Sequence, residues 1–523
     1  MAKLSRRTFL ARAGGVAAVT LTAETTGIAP KFGMKPAAAD AAETRTKKSF
    51  PAVPTNGDEA SYPNKIASYT KGLPHNERGE VELSAYSAFL KALATRQHAD
   101  FEAVPLGGRA KFANPQAAYA LTVEGFELHK LALSAPPAFA SAEVAGEMIE
   151  LYWQALTRDI PFIEYETHPL TTAAAADLSR CTDFRGPKVR EVVTPATLFR
   201  GPTTGDVMGP YLSQFLWLDV YHGSMTLVQR SRVPVVNDDY LRTYPEWLHI
   251  QRGLAPARIN VLDGTSRYLR NGRDLAEYVH RDYPYQAFLN ACLTLLAMGA
   301  PLKGDHPYKR SLTQGGFITF GPPDALDCVT RVANPALKAC WYYKWLVHRR
   351  LRPEAFGGRV HNHLTQVAKY PLHEDVLNAK ALSAVFRATG TYLLPMAYPE
   401  GCPTHPAYPA GHAAIAGACA TVLKAFFNEA HVIPGPVVAS PDGLSLVPYR
   451  AVALTVGGEL NKLASNIALG RDVAGVHWRS DGIEGLKLGE AVAMQVLTQL
   501  RTTYPEHFAG FRLTTFDGTS AVI

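Results

Sequence analysis

Three short segments in the C-terminal half of the chain gather lysine, arginine and histidine where helices are expected to start or stop. The first runs from Lys344 to Pro353 and carries Lys344 and Arg352 eight residues apart. At about 100° per residue, a continuous helix sets the two within roughly 80° on one face, two turns apart, both able to reach a single anion. The second, Cys402 to Ala413, is a proline-stiffened loop that runs straight into an alanine-rich helix. Gly411 allows close backbone approach there, and His412 falls in the first turn, where free N–H groups and the helix dipole favour negative charge. An imidazole so placed can give a proton to, or take one from, an oxygen of that anion. In the third, Gly470 to Asp481, Arg471 ends one helix, Gly475 breaks the chain, and His477 opens the next with Asp481 one turn on. A carboxylate at i+4 can take the Nδ1 proton of His477, fix its tautomer and leave Nε2 free as a ligand or nucleophile. Each segment alone has a plain alternative, a solvated cationic helix face or a histidine packed at a helix start. Their order and shared placement at helix ends are harder to explain as core filling.

The elements that must position these groups read as helices. Ser141 can cap a helix whose buried face repeats Val144, Met148, Leu151 and Ala155, with Pro161 just past its end. Asp282 caps another, with Phe288, Leu289, Cys292 and Leu296 as its apolar stripe and Gly299 as terminator. Asn334-Pro335 opens a third, expected to run through Trp341 and Trp345 until Pro353 stops it at Arg352. Further helical stretches are 411–427, 458–469 and 480–500, and Phe317 to Phe320 can pair as a minor strand. There is no internal repeat, no βαβ alternation and no glycine-rich phosphate loop, which argues against Rossmann and P-loop enzymes. An all-α architecture of helical bundles with a few minor short strands follows.

The composition of the 523-residue chain, 47% hydrophobic and 19% charged, excludes a disordered or fibrous protein. A net charge of +7 invites a nucleic-acid reading, but residues 1–39 hold Lys3, Arg6, Arg7, Arg12, Lys31 and Lys35 against Glu24, a surplus of five that leaves the body at +2. A nearly neutral body lacks the basic footprint of a polyanion binder, so no nucleic-acid partner is expected. The same N-terminal segment, Ser5 to Leu10, then the apolar run Ala13 to Ala23, then Ala37-Ala38-Ala39 before Asp40, resembles a twin-arginine export signal. That implies a periplasmic or secreted product. The longest other apolar run, Ala287 to Leu302, is broken by Asn290, Gly299 and Pro301, so no membrane span is expected in the mature chain. Residues 40–82 read as an N-terminal arm or linker. The six cysteines are far apart, without zinc spacing, and leave disulfide pairing open.

Taken together, Lys344 to Pro353, the Tyr-Pro-Ala-Gly-His run ending at His412, and Arg471 with His477 and Asp481 resemble the three-part signature shared by vanadium-dependent haloperoxidases and type 2 phosphatidic-acid-phosphatase-like acid phosphatases. Likeness to the bromoperoxidase branch extends to Glu150 to Phe162, Leu198 to Gly201, Gly209 to Phe215, Trp247 to Gly253, Arg273 to Ala276, Tyr285 to Ala287 and the stretch around Trp341. It covers roughly residues 80–500. The resemblance implies two four-helix bundles around one oxyanion site, in a haloperoxidase-like helical domain over 83–523 with the site inside 341–481.

Carried over residue by residue, the resemblance makes His477 the axial ligand to vanadium, oriented by Asp481. Lys344, Arg352, Arg471 and the Gly411 amide would bind the vanadate oxygens, and His412 would be the general acid/base. His405 and Trp341 match positions near the halide region, and a histidine at 405 is typical of bromoperoxidases. The implied cofactor is vanadate, with phosphate fitting the same site; the implied partners are hydrogen peroxide, bromide or iodide, and small organic acceptors that hypohalous acid would halogenate. Homo-oligomers are common in that branch. One position departs from the pattern: where the family usually has serine two residues before the motif histidine, this chain has Ala410. An acid phosphatase acting through a phosphohistidine at His477 is the alternative the same residues allow, and a non-catalytic oxyanion-binding relative is a third.

Overall fold

The computed structural model describes residues 50 and 52–523; the expected signal segment and the first part of the arm lie outside the described residues. Among these are thirteen α-helices of eight residues or more. They are α1 (Leu83–Thr95), α2 (Ala142–Thr157), α3 (Pro169–Leu178), α4 (Tyr244–Gln251), α5 (Gly272–Arg281), α6 (Gln286–Ala297) and α7 (Pro322–Arg331), followed by α8 (Ala333–Tyr342), α9 (Pro353–Leu364), α10 (Lys380–Thr389), α11 (Gly411–Phe426), α12 (Val456–Val473) and α13 (Arg479–Thr503). Strands occur in four isolated two-stranded antiparallel pairs: Val220–His222 with Met225–Leu227, Ser231–Pro234 with Leu262–Arg267, Val437–Ala439 with Leu446–Pro448, and Arg512–Thr514 with Ser520–Val522. The expected all-α class with minor strands is what the structure shows. No described helix is long and apolar enough to cross a membrane.

Helix α11 is the centre of the arrangement, packed against α7, α8, α12 and α13. Its sequence is dominated by alanine, glycine and aliphatic residues, and all but His412 are buried. Small side chains let α11 and α13 touch backbone to backbone. A Cβ added at Gly489 would lie 1.9 Å from the Ala414 carbonyl oxygen, and one at Gly417 would lie 2.1 Å from that of Leu486. Glycine inside a helix usually destabilises it by about 1 kcal/mol relative to alanine. Here that loss is the condition for the close approach that sets the start of α11 beside the start of α13.

The expected N-cap of α2 forms, with Ser141 Oγ accepting from Val144 N at 3.2 Å, and Val144, Met148, Leu151 and Ala155 are buried. Helices α11, α12 and α13 occupy the stretches expected for them, with α12 reaching further in both directions. Two expectations fail for backbone reasons. The third helix does not continue to Arg352: α8 ends at Tyr342, the chain widens into a π turn over Tyr343–His348, and Arg349 adopts a left-handed φ of 40°. Beyond it Arg350 and Leu351 pair with the arm, Tyr69 N donating to Arg349 O at 2.7 Å and Leu351 N to Ala67 O at 3.2 Å. Arg352 is extended, as the residue before a proline is pushed to be. Lys344 and Arg352 are therefore not on one helix face. Asp282 also does not cap α6, whose N-cap is Tyr285; it closes α5, donating its N–H to Tyr278 O at 3.0 Å. Phe317 and Phe320 make only an isolated bridge.

The arm is tied down at Asp58 and Glu59, which accept from Phe139 N and Arg349, and again from Ile66 onward. Ile66, Ala67, Tyr69 and Leu73 are buried, and Lys71 Nζ meets Glu354 Oε1 at 3.0 Å with both side chains out of water. Removing one partner of such a pair destabilises by about 3–5 kcal/mol. All six cysteines are free, five of them buried.

Candidate active site

Four chain segments converge at the start of α11. The π turn after α8 delivers Lys344, the pre-proline residue of α9 delivers Arg352, the loop before α11 delivers His405, and the α12–α13 junction delivers Arg471 and His477. Gly475, with φ of +83° and a space that Met396 would deny to a Cβ (2.9 Å from its sulfur), makes the turn at that junction. His477 sits one residue before the cap of α13, and Asp481 in the first turn accepts from both His477 Nδ1 at 2.8 Å and the Trp478 amide at 3.1 Å. The expected His477–Asp481 pairing is thus present, and it leaves Nε2 as the only lone pair of that ring.

Arg352 links the histidines. Its Nη1 donates to His477 Nε2 at 3.0 Å and to Val476 O at 2.6 Å, while Nη2 donates to His405 Nδ1 at 2.9 Å. Lys344 Nζ, fully buried, donates to the carbonyls of Pro406 at 2.8 Å and Ala407 at 2.6 Å, using two of its three protons. Burial, and then the neighbouring Arg352 cation, push the Lys344 ammonium down to about 7. Loss of water and the cations Arg352 and Lys344 likewise hold His405 and His477 well below the usual imidazole range, so both are neutral bases. Arg471 reaches the site from α12; Nη1 donates to Val279 O at 2.7 Å and to Tyr398 Oη at 3.4 Å, and its buried Nε has no partner.

Trp341 stands beside this group with its ring centre 4.8 Å from that of His405, its indole N–H donating to Ala113 O at 3.1 Å. Gly411 is confined by α8: a Cβ there would lie 3.1 Å from Leu337 and 3.4 Å from the Trp341 ring. Ala410, the N-cap of α11, offers no side-chain cap, so the first-turn amides of that helix keep their donors for another partner. His412 is partly exposed and is held by Asp282. Its Nε2 lies 3.0 Å from Asp282 Oδ1, the imidazole 28% exposed and the carboxylate 3%.

The donor set suits a compact polyanion. Arg352 and Arg471 are buried cations and Lys344 a buried amine that an adjoining anion would keep protonated, while the adjoining carboxylate, Asp481, is already engaged by His477, Trp478 and Arg350. Unmatched buried positive charge with donors to spare, the orphaned Arg471 Nε among them, is what an oxyanion with several charged oxygens would neutralise.

Residues 329–505 match the family model described as the VCPO second helical-bundle domain. The chain is 35% identical over 465 residues to a vanadium-dependent bromoperoxidase of Ascophyllum nodosum, spanning 84% of this chain and 83% of that one. It is 34% identical over 563 residues to one of Corallina pilulifera, spanning 90% and 94%. The chain belongs to the vanadium-dependent bromoperoxidase family. A solved structure described as the homohexameric second vanadate-dependent bromoperoxidase of Ascophyllum nodosum superposes with a TM-score of 0.86 at 28% identity, over 99% of this chain and 95% of that one.

Three residues that surround the site in this bromoperoxidase-family chain escape its sequence motifs. Asp282, which backs His412, is 130 positions away and reads as a helix cap. Arg350 lies inside the Lys344–Pro353 segment but passes for part of a basic run; it points to Asp481 at 2.7 Å. Glu147, which holds Arg350 at 3.0 Å, shares the buried surface of its helix with Glu150 and Gln154, so its own role has no separate signal in the sequence.

Proposed function

We propose that the protein is a vanadate-dependent haloperoxidase that uses hydrogen peroxide to oxidise bromide or iodide to hypohalous acid, which halogenates small organic acceptors. The observation that carries this reading is the convergence of three buried basic groups, Lys344, Arg352 and Arg471, on two buried imidazoles, one with its Nε2 lone pair singled out by Asp481. His477 Nε2 would hold vanadium, and Lys344, Arg352, Arg471 and the Gly411 amide would hold the oxygens of vanadate. When bound, vanadate acts as a Lewis acid that activates peroxide toward attack by halide.

The chain's own residues then have distinct work. The net reaction consumes one proton: halide, hydrogen peroxide and H⁺ give hypohalous acid and water. His412, in contact with solvent on one side and Asp282 on the other, takes and returns protons of peroxide and water. Asp282 fixes the orientation of the ring. Lys344, Arg352 and Arg471 are preorganised for negative charge in a dry pocket, where each is worth more than it would be in water. Trp341 and His405 border the place where halide would approach, and the neutral His405 presents no fixed charge of its own there.

The test is bromination of a phenolic dye by the purified protein with peroxide and bromide or iodide, with and without orthovanadate, beside turnover of a phosphate ester. Vanadate-dependent halogenation suppressed by phosphate is the expected result. Phosphatase turnover inhibited by vanadate, with no halogenation, would overturn it in favour of phosphoryl transfer. The same reading has residues 1–39 as a twin-arginine signal removed before Asp40, checked by the N-terminal mass of exported protein, and a homo-oligomer, as the Ascophyllum nodosum structure is described to be, checked by light scattering.

A further inference from the structure

We propose that Arg350 and Glu147 are positioning residues that act on His477 through Asp481; the inference rests on the reading of His477 as the ligand. The juxtaposition is a buried chain of four ionisable groups drawn from three separate parts of the sequence. His477 Nδ1 meets Asp481 Oδ2 at 2.8 Å, Asp481 Oδ1 accepts from Arg350 Nη1 at 2.7 Å, and Arg350 Nη2 meets Glu147 Oε2 at 3.0 Å. Asp481 is fully buried, Glu147 is 3% exposed and Arg350 6%. Ser480 ties the far end to the near one: its hydroxyl accepts from Arg350 at 2.8 Å and its amide donates to Glu147 Oε1 at 2.5 Å. Arg350 is further sandwiched over the rings of Trp478, at 5.0 Å, and Tyr408, at 6.0 Å.

This geometry does something that the His477–Asp481 pair alone would not. A buried carboxylate with only a neutral imidazole and one amide for partners is poorly stabilised as an anion, and could rotate or share its proton. Arg350 occupies Oδ1 with a permanent charge, so Oδ2 is kept as an acceptor aimed at Nδ1. That holds the Nδ1–H tautomer and leaves the Nε2 lone pair toward the oxyanion pocket. Glu147 accepts from Arg350 and, through the Ser480 amide, registers α2 against the first turn of α13. The three arginines of the motif thereby divide their labour: Arg349 pairs with Glu59, Arg350 backs Asp481, and Arg352 faces the pocket.

The experiment uses the full chain labelled with ¹⁵N-histidine, the His477 ring signals assigned by their loss in His477→Gln, together with calorimetric binding of orthovanadate and of inorganic phosphate. Wild type should show His477 as a single Nδ1–H tautomer. Arg350→Met should give averaged ring shifts of mixed tautomers and weaken both anions about tenfold; Arg350→Lys, which keeps the charge, should return affinity to within about threefold and restore the ring signature. Glu147→Gln should shift the same readouts in the same direction by a smaller, roughly threefold, effect. A folded Arg350→Met with wild-type ring shifts and affinity within twofold would overturn the proposal, as would a lysine variant no better than methionine. Should Arg350→Met not fold, an unchanged ring signature in Glu147→Gln overturns it. A wild-type chain that binds neither anion would instead defeat the functional reading, while the tautomer comparison would still decide this one.

Discussion

The two histidines that the signature brings to the site are held in opposite ways. His477 is 2% exposed and hydrogen-bonded at both ring nitrogens, and its carboxylate partner is itself gripped by Trp478 and Arg350. His412, in the first turn of α11, is 28% exposed and has one carboxylate behind it. A ligand must offer the same lone pair in the same direction at all times, and a rigid buried network provides that. A proton carrier must meet solvent and change charge, and a single backing carboxylate on an accessible ring provides that. On the proposed reading, similar side chains are divided between the two tasks by how many partners surround them.

The largest expected effect breaks the comparison on its rigid side. His477→Ala should lower vanadate-dependent bromide oxidation by about a thousandfold or more, as removal of a group acting within a catalytic unit does, with circular dichroism unchanged because Arg350 still neutralises Asp481. Retained turnover would remove the ligand assignment. On the accessible side, Asp282→Asn should reduce kcat by roughly 10–100-fold, within the range of acid–base catalysis, and leave vanadate affinity within about threefold. A variant that loses affinity and keeps kcat would mean that Asp282 shapes the pocket rather than serving His412.

Ala410→Ser probes the boundary between the two sides with a smaller effect. Ala410 N donates to Asp481 O at 2.9 Å, so the residue joins the start of α11 to that of α13. A serine hydroxyl there could accept from a first-turn amide while its proton points to the anion. A charge-assisted hydrogen bond at the low end of its range is worth about 1.5 kcal/mol, so calorimetry should show vanadate bound about tenfold more tightly. Unchanged or weaker binding would mean that position 410 does not face the oxyanion.

What the sequence revealed of this division follows from how local each signal is. His477 and Asp481 are one turn apart and their pairing is written in the spacing, as are the capping of α2 and the extents of α11 and α13. The convergence of Lys344 and Arg352 was legible, but its stated cause was wrong. A helix template places them on one face, whereas the structure brings them together through a π turn, a left-handed Arg349 and pairing of residues 349–351 with the arm. None of those has a periodic signature. Asp282 and Glu147 were illegible for a related reason, since they reach the site across 130 and more than 200 positions of chain, and only packing determines that distance. The alanine and glycine content of α11 was visible, but not the backbone contact with α13 that it permits.

A third imidazole sharpens the comparison because it is held as tightly as His477 and lies in the arm, outside the catalytic set. His75 is buried, Nδ1 donating to Leu73 O at 2.7 Å and Nε2 accepting from Thr70 Oγ1 at 2.9 Å. Burial, then the Arg359 cation, push it down from 6.5 to about 3. Below pH 6.5 the unfolded chain takes up a proton there that the folded chain refuses, so stability present at neutral pH is lost as pH falls toward 3, by about 1.4 kcal/mol per pH unit for this one group. Other groups titrate in the same window, so the informative quantity is the difference between wild type and His75→Gln in urea unfolding at pH 7, 6 and 5. The wild type should lose about 1 kcal/mol more per unit than the variant below pH 6.5. Equal slopes would mean that His75 gains its proton without leaving the fold, and that double hydrogen bonding of the kind seen at His477 is not sufficient to hold an imidazole neutral.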